Sequence, residues 1–302
     1  MNIANALNEL KISDHTLDPH LRQRLDNEGY FILDNVIAPQ DCERMAAEVD
    51  RIAASEKNGG GGEVSVEAGA TRVSNIFNKS TAFDSLLDIK PLLAASYYLL
   101  GDFKVHGANV REPHQSTGKQ PLHSDSIKLG DGKWCLVNAL IAFDPLTLEN
   151  GSTRIVPGSH LWAPLNVPGE NAVYAPGNSD KDNSDEGKPK KEPHRWATES
   201  ESVEEHSAKS PVAADANRAP ADPFAPYPGE LTVVVPAGSV VVCNAHLWHS
   251  GTTKQNNARR RLLALSYTRR DLPQQLIQRD YITPQLYERL NEAQRYLLDV
   301  NW

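Results

Sequence analysis

The chain lacks what would tie it to a membrane, a phosphate backbone or an oxidising compartment. Its three cysteines, Cys42, Cys135 and Cys243, are far apart and odd in number. They form no C-x-x-C pair and point to a reducing, cytoplasmic setting. No stretch approaches the roughly 18 consecutive apolar residues of a membrane span. The opening MNIANALNELKISD has no basic region followed by an apolar core, so no secretory signal is expected. Positive charge is scarce as well: 31 Lys and Arg against 39 Asp and Glu leave a formal net charge of -8. That balance argues against a nucleic-acid partner and favours solubility.

What is present reads as one catalytic domain with helical additions, long enough at 302 residues to bury a core without staples. Leu17, Leu21 and Leu25 recur every four residues and predict a helix over 15–28, closed by Gly29. Residues 30–33 predict a strand. Pro39 opens a second helix with Met45, Val49 and Ile52 as its apolar stripe. A GGGG loop follows at 59–62, then a helix over 91–100 stopped by Gly101. From 103 the pattern turns to β. Segments 105–110, 134–143, 154–156, 231–235, 239–243 and 262–267 are short and bounded by Gly, Pro and Asn, which predicts a sandwich or jelly roll. Thr283-Pro284 then starts a terminal helix over 283–299 with Leu286, Leu290 and Leu297 buried. The division is therefore a helical part over 1–102, a β core over 103–270 and a closing helix.

The stretch 163–229 breaks this pattern. It carries ten of the twenty prolines, twelve acids, seven basic residues and few aliphatics. It cannot form its own core and reads as an insertion between two core strands. It is either a surface loop or a lid over the site, which Tyr174, Trp196, Phe224 and Tyr227 could anchor.

His123 and Asp125 are two residues apart, so in a strand both side chains share a face. His249 would come from another strand. Two imidazoles and one carboxylate can occupy one face of an octahedral Fe(II) and leave three positions open for O2 chemistry. Arg260 lies eleven residues after His249 and can hold an acidic cosubstrate through a bidentate pair. His246 is the rival third ligand, and Arg259 and Arg261 are the rival anchors. In a strand those two arginines would face away from Arg260, toward solvent. Gln120 and Asn138 flank the metal strand as candidates for the inner carboxylate or the substrate. Arg72, Asn75 and Arg111 are candidate pocket residues.

Five segments resemble the phytanoyl-CoA dioxygenase family of Fe(II)/2-oxoglutarate oxygenases. GYFILDNVIAPQDCERM (29–45) resembles its opening strand and helix, and QPLHSD (120–125) its first metal motif. LENGSTRIVPGSHLW (148–162) resembles its central turn and strand, PAGSVVVCNAHLWHSG (236–251) its second metal motif, and RRRLLALSYTRRD (259–271) its arginine strand. The resemblance covers nearly the whole chain outside the insertion. It implies a double-stranded β-helix, a cupin-like jelly roll that is mainly β with flanking helices. It implies His123, Asp125 and His249 as iron ligands, Arg260 on the distal carboxylate of 2-oxoglutarate, and O2 as co-reactant. His249 is favoured over His246 because Ser250-Gly251 follows it as the family's small turn does. The family often has the order His-Gly-Ser, so the hydroxyl contact to 2-oxoglutarate falls to Ser250 or Thr252. The implied reaction hydroxylates a small-molecule metabolite while 2-oxoglutarate becomes succinate and CO2. Halogenation would need Gly or Ala in place of Asp125. The remaining alternatives are a non-catalytic metal-binding jelly roll and a cosubstrate-free cupin-type enzyme, which would not need Arg260.

Overall fold

The computed structural model describes residues 1–56, 62–64, 66–126, 131–162, 165 and 218–300. Its helices are α1 (Ile3–Glu9), α2 (Pro19–Asn27), α3 (Pro39–Ser55), α4 (Ile76–Lys79), α5 (Lys90–Leu100), α6 (Pro284–Arg289) and α7 (Glu292–Leu298). Its strands are β1 (Tyr30–Leu33), β2 (Ala70–Val73), β3 (Phe103–Pro113), β4 (Leu136–Ala142), β5 (Thr153–Ile155), β6 (Leu231–Thr232), β7 (Val240–Asn244), β8 (His249–Gly251) and β9 (Leu262–Arg269). A six-stranded sheet, ordered β1-β7-β4-β9-β3-β2, faces a three-stranded sheet, ordered β6-β5-β8. All pairings are antiparallel. The result is an open jelly roll with flanking helices and no closed barrel among the described residues. Among the described residues, no helix is long and apolar enough to cross a membrane.

Strand alternation sorts the side chains into two cores. On the outer face of the large sheet, Val137, Ala139, Ile141, Val240, Val242, Leu263, Leu265 and Tyr267 pack against the helices, with Phe31, Met45, Phe83, Leu92 and Leu297 among their partners. On the inner face, Ala142, Val241, Cys243 and Leu262 meet Leu146, Ile155, Val233 and Val235 of the small-sheet side. Because both faces are covered, these strands read as apolar runs rather than clean alternations. The inner positions that are polar, such as Asn138 and Ser266, therefore stand out.

Several boundaries differ from those the pattern predicts. Helix α1 was not anticipated. Helix α2 begins at Pro19 rather than at 15, because Asp18 caps it by accepting from the His20 amide at 2.8 Å. Gly29 follows that helix with φ +84°, where its amide donates to the Arg24 carbonyl. The predicted terminal helix is two helices. Leu290 is extended between them, and Asn291 starts α7 with a capping box to Gln294. Strand β2 was not anticipated, while β8 is the short strand expected to carry His249. Of the insertion 163–229, only Leu165 and the stretch from 218 onward lie within the described residues, so the expectations for Tyr174 and Trp196 fall outside them.

One irregularity in the large sheet buries a titratable group. The β3–β9 register shifts between Val105 and Gly107, so His106 is the extra residue of a β-bulge. Its carbonyl accepts from the Gln275 and Leu276 amides, and its Nδ1 accepts from the Gln275 amide at 3.1 Å. Burial pushes the imidazole down to about 3, against an opposing hydrogen bond to Pro273 and the field of Asp125. The folded protein thus holds His106 neutral where the unfolded chain would protonate it. Below the unfolded value of about 6.5 the unfolded state binds one more proton, so acidification down to about 3 costs stability. We expect His106→Gln to flatten the pH dependence of unfolding between pH 6 and 4 by up to about 1.4 kcal/mol per pH unit, read from urea melts across that range. An unchanged slope would mean that His106 protonates in the folded state.

Candidate metal centre

Two backbone hydrogen bonds build the site. The His123 amide donates to the His249 carbonyl and the His249 amide to the His123 carbonyl, both at 2.9 Å. The two residues are thus a directly opposed antiparallel pair, which places their side chains on one face. The imidazole centroids are 4.4 Å apart. His123 is not in a regular strand, contrary to expectation: the segment 121–125 is extended but pairs with β8 only through this bridge. Asp125, two residues on, still reaches the same face. Its Oδ1 lies 3.5 Å from His123 Nε2 and its Oδ2 3.3 Å from His249 Nε2. One ligand atom from each of the three residues falls within 4.8 Å of the others.

The tautomers are set locally. His123 Nδ1 lies 2.7 Å from the Pro121 carbonyl, and His249 Nδ1 lies 2.9 Å from the Leu247 carbonyl. A carbonyl only accepts, so each Nδ1 must donate and each Nε2 keeps its lone pair for the common point. Desolvation works to raise the Asp125 pKa. When the imidazoles are protonated, as they can be without metal, the charge of His249 and hydrogen bonds from both outweigh it and hold the carboxyl well below the usual range. Burial opposes protonation of His249, but Asp125 reverses that and raises its pKa. Asn138 on β4 donates from Nδ2 to Asp125 Oδ2 at 2.5 Å. Ser266 on β9, directly opposite Asn138, donates to its Oδ1 at 2.6 Å and so fixes which end of the amide meets Asp125.

Beside the triad lies a cluster of cations. Thr153 pairs with Gly251 and Ile155 with His249, so Thr153, Gly251 and His249 share a face. Arg260, 2% exposed, donates to the Thr153 hydroxyl at 3.3 Å. Arg111 and Arg72 are register partners on β3 and β2. Both reach Glu67, Arg111 through two nitrogens and Arg72 at 3.4 Å. Burial would raise the Glu67 pKa, but Arg111, then Arg72 and Arg260, lower it. Gly251 is required here, since a Cβ would sit 2.8 Å from Gln120 Oε1 and from the Gly118 carbonyl.

A model of the phytanoyl-CoA dioxygenase (PhyH) family matches residues 25–262. The chain belongs to the PhyH family. Among curated proteins, dioxygenase trt7 of Aspergillus terreus is 29% identical over 156 residues, 46% of this chain and 54% of that protein. The PhyH chain spans about half the length of such relatives. Among solved structures, HygX of Streptomyces hygroscopicus, crystallised with nickel, 2-oxoglutarate and hygromycin B, is 18% identical with a TM-score of 0.54, covering 85% of this chain and 90% of that one. The 2-oxoglutarate-dependent epimerase SnoN of nogalamycin biosynthesis is 19% identical with a TM-score of 0.54, covering 83% and 82%. At these identities the likeness is one of fold.

The PhyH chain brings His123, Asp125, His249, Asn138, Gln120 and Arg260 to one region and sets other candidates apart. His246 is buried elsewhere, with Nε2 3.3 Å from Cys135 Sγ and its ring edge-on to Trp134. Gln120 accepts from the Gly251 amide at 3.0 Å through Oε1. Ser250 faces away from His249, and its hydroxyl accepts from Arg154 Nε. Thr252 likewise donates to the Ser152 carbonyl at 2.8 Å. Arg261 does not meet solvent as expected. Its side chain is only 12% exposed and pairs with Asp144 at 2.7 Å and Asp50 at 2.9 Å. Arg259, outside any strand, pairs with Glu112 and Asp50. Sequence reasoning missed Glu67, Thr153, Arg154 and Ser266. The one available signal was alternation: Thr153 and Arg154 sit on opposite faces of a three-residue strand.

Removing the carboxylate should abolish the site while sparing the fold, because Asp125 opens to solvent with 37% of its side chain exposed. We expect Asp125→Ala to lose Ni(II) binding by calorimetry at an unchanged melting temperature. Retained affinity would exclude Asp125 as a ligand.

Proposed function

We propose that this chain is an Fe(II)- and 2-oxoglutarate-dependent dioxygenase that hydroxylates an unactivated C–H bond of a small-molecule metabolite. The observation that carries the reading is the convergence of His123 Nε2, His249 Nε2 and the Asp125 carboxylate within 4.8 Å, beside the buried Arg260. Two neutral imidazoles and one carboxylate are a donor set that suits Fe(II) and leaves one face open. The residues present therefore fit the metal. Bound Fe(II) supplies O2 activation coupled to oxidation of 2-oxoglutarate to succinate and CO2.

The chain's own residues prepare that chemistry. The Pro121 and Leu247 carbonyls keep both imidazoles in the tautomer that ligates. Asn138 and Ser266 hold the Asp125 carboxylate in place. Arg260, oriented by Thr153, takes the distal carboxylate of 2-oxoglutarate. Behind the two histidines, on the opposite face, Leu122, Val156 and Trp248 pack together and back the segments that carry them. Ser250 has no part in cosubstrate binding, because Arg154 holds it on the other face. The neighbours favour a small substrate: HygX was crystallised with hygromycin B. The three buried free thiols suit a cytoplasmic setting.

The decisive experiment is an anaerobic titration with Fe(II) and 2-oxoglutarate, followed by the visible metal-to-ligand charge-transfer band. The band should form in the wild type and be absent in His249→Ala. Metal-bound protein without the band would favour a cosubstrate-free enzyme or a binding protein. Arg260→Leu should raise the KM for 2-oxoglutarate by about 30-fold or more, since losing one partner of a buried charged pair costs about 2–5 kcal/mol. An unchanged KM would move the anchor to another arginine. Succinate release without oxygen in the organic product would move the outcome from hydroxylation toward a two-electron oxidation of the substrate, such as a ring closure like that named for the carbocyclase SnoK.

A further inference from the structure

The segment 121–125 is hydrogen-bonded on both sides. Toward the core, the His123 amide meets the His249 carbonyl at 2.9 Å and the Asp125 amide meets the Ala245 carbonyl at 3.0 Å. Toward the outside, the Leu122 amide donates to the Pro223 carbonyl and the Ser124 amide to the Leu165 carbonyl, both at 2.8 Å. Leu165 and Pro223 stand at opposite ends of the long insertion. The ligand segment is therefore an inner strand in all but length, and its outer neighbour is supplied by the two ends of that insertion.

Arg154 ties this outer neighbour to the second metal motif. It lies on β5 directly opposite Ser250, one residue beyond the ligand His249. Its Nε donates to Ser250 Oγ. Its Nη2 donates to the Pro223 carbonyl at 2.9 Å, the same oxygen that receives the Leu122 amide. Its Nη1 donates to the Ala225 carbonyl at 2.7 Å and to Glu230 at 2.8 Å. Glu230 also accepts from the Tyr227 amide at 2.9 Å, and the Tyr227 ring packs edge-on against Trp248 with centroids 5.6 Å apart. A single guanidinium, 6% exposed, thus joins the residue after His249 to the carbonyl that holds the residue before His123.

We infer that Arg154 is a positioning residue for the metal centre, acting through Pro223 and Ser250 to fix the spacing of His123 and His249. The inference rests on the reading of those histidines as metal ligands. Arginine suits the task because its planar fork serves several acceptors at once, whereas a lysine offers one point charge. Without it, the Pro223 carbonyl loses its anchor and the Leu122 amide loses its fixed partner. The buried Ser250 hydroxyl loses its partner, and the half-buried Glu230 carboxylate keeps only the Tyr227 amide.

The test is Co(II) affinity by calorimetry without cosubstrate, combined with hydrogen exchange of the 121–126 peptide. Arg154→Gln should weaken Co(II) binding by about 10–100-fold, the usual effect of losing an outer-shell partner. The 121–126 amides should exchange faster, and Arg154→Lys should not restore either property. Wild-type Co(II) affinity in Arg154→Gln overturns the inference, whatever happens to its melting temperature. Weaker binding with unchanged exchange of 121–126 also overturns it, because the effect would then travel by another route. If Arg154→Gln does not fold, Glu230→Gln carries the same two readouts, with a smaller loss expected. Failure of the wild type itself to bind Co(II) would instead refute the metal reading on which the inference stands.

Discussion

The reciprocal hydrogen bonds between His123 and His249 are the constraint on which the site depends. Each amide satisfies the other's carbonyl, so neither residue can shift along its segment without breaking both bonds. Side-chain direction follows from backbone pairing: opposed residues project to the same face, and the residue two further on joins them. Asp125 thereby arrives beside two imidazoles whose tautomers are already fixed by carbonyls of their own segments. The same register sends Ser250 to the opposite face, where Arg154 takes it up. The three candidate ligand groups and the Arg154 contacts are two faces of one short ladder.

The three consecutive arginines show how burial divides identical side chains among different tasks. Arg259 and Arg261 find carboxylates in Asp50, Glu112 and Asp144, and so tie α3, β3 and the turn after β4 together. Arg260 is buried among the residues of the site and is oriented by the Thr153 hydroxyl. Breaking a buried pair is costly because the remaining charge is left in a poor solvent. The pairing of its neighbours thus leaves Arg260 as the member of the triplet directed at the site. Nearby, Glu67 balances Arg111 and Arg72 in the same interior.

The PhyH membership fixes the architecture but does not select the reaction's outcome. Folds host many chemistries, and the site decides among them. The solved neighbours include one protein crystallised with hygromycin B and another that is an epimerase. What this chain adds is its own inner lining of carboxamides and a hydroxyl. Asn138 and Ser266 are coupled to the Asp125 carboxylate, while Asn109 on β3 donates to Gln275 of the loop after β9 at 2.6 Å.

The sequence by itself determined the class of fold, because short apolar runs bounded by turn residues have few other ways to bury both faces. It also marked His123, Asp125, His249 and Arg260, since their chemistry is rare and their spacing regular. It could not show that the segment 121–125 is held by a bridge rather than a strand. Nor could it divide the terminal helix, a matter of where Asn291 finds its capping partner. The facing of Ser250, the pairing of Arg261 and the roles of Arg154 and Glu67 were decided by tertiary structure alone. Each depends on a partner between 44 and 211 residues away or on strand register, and local composition carries no record of either.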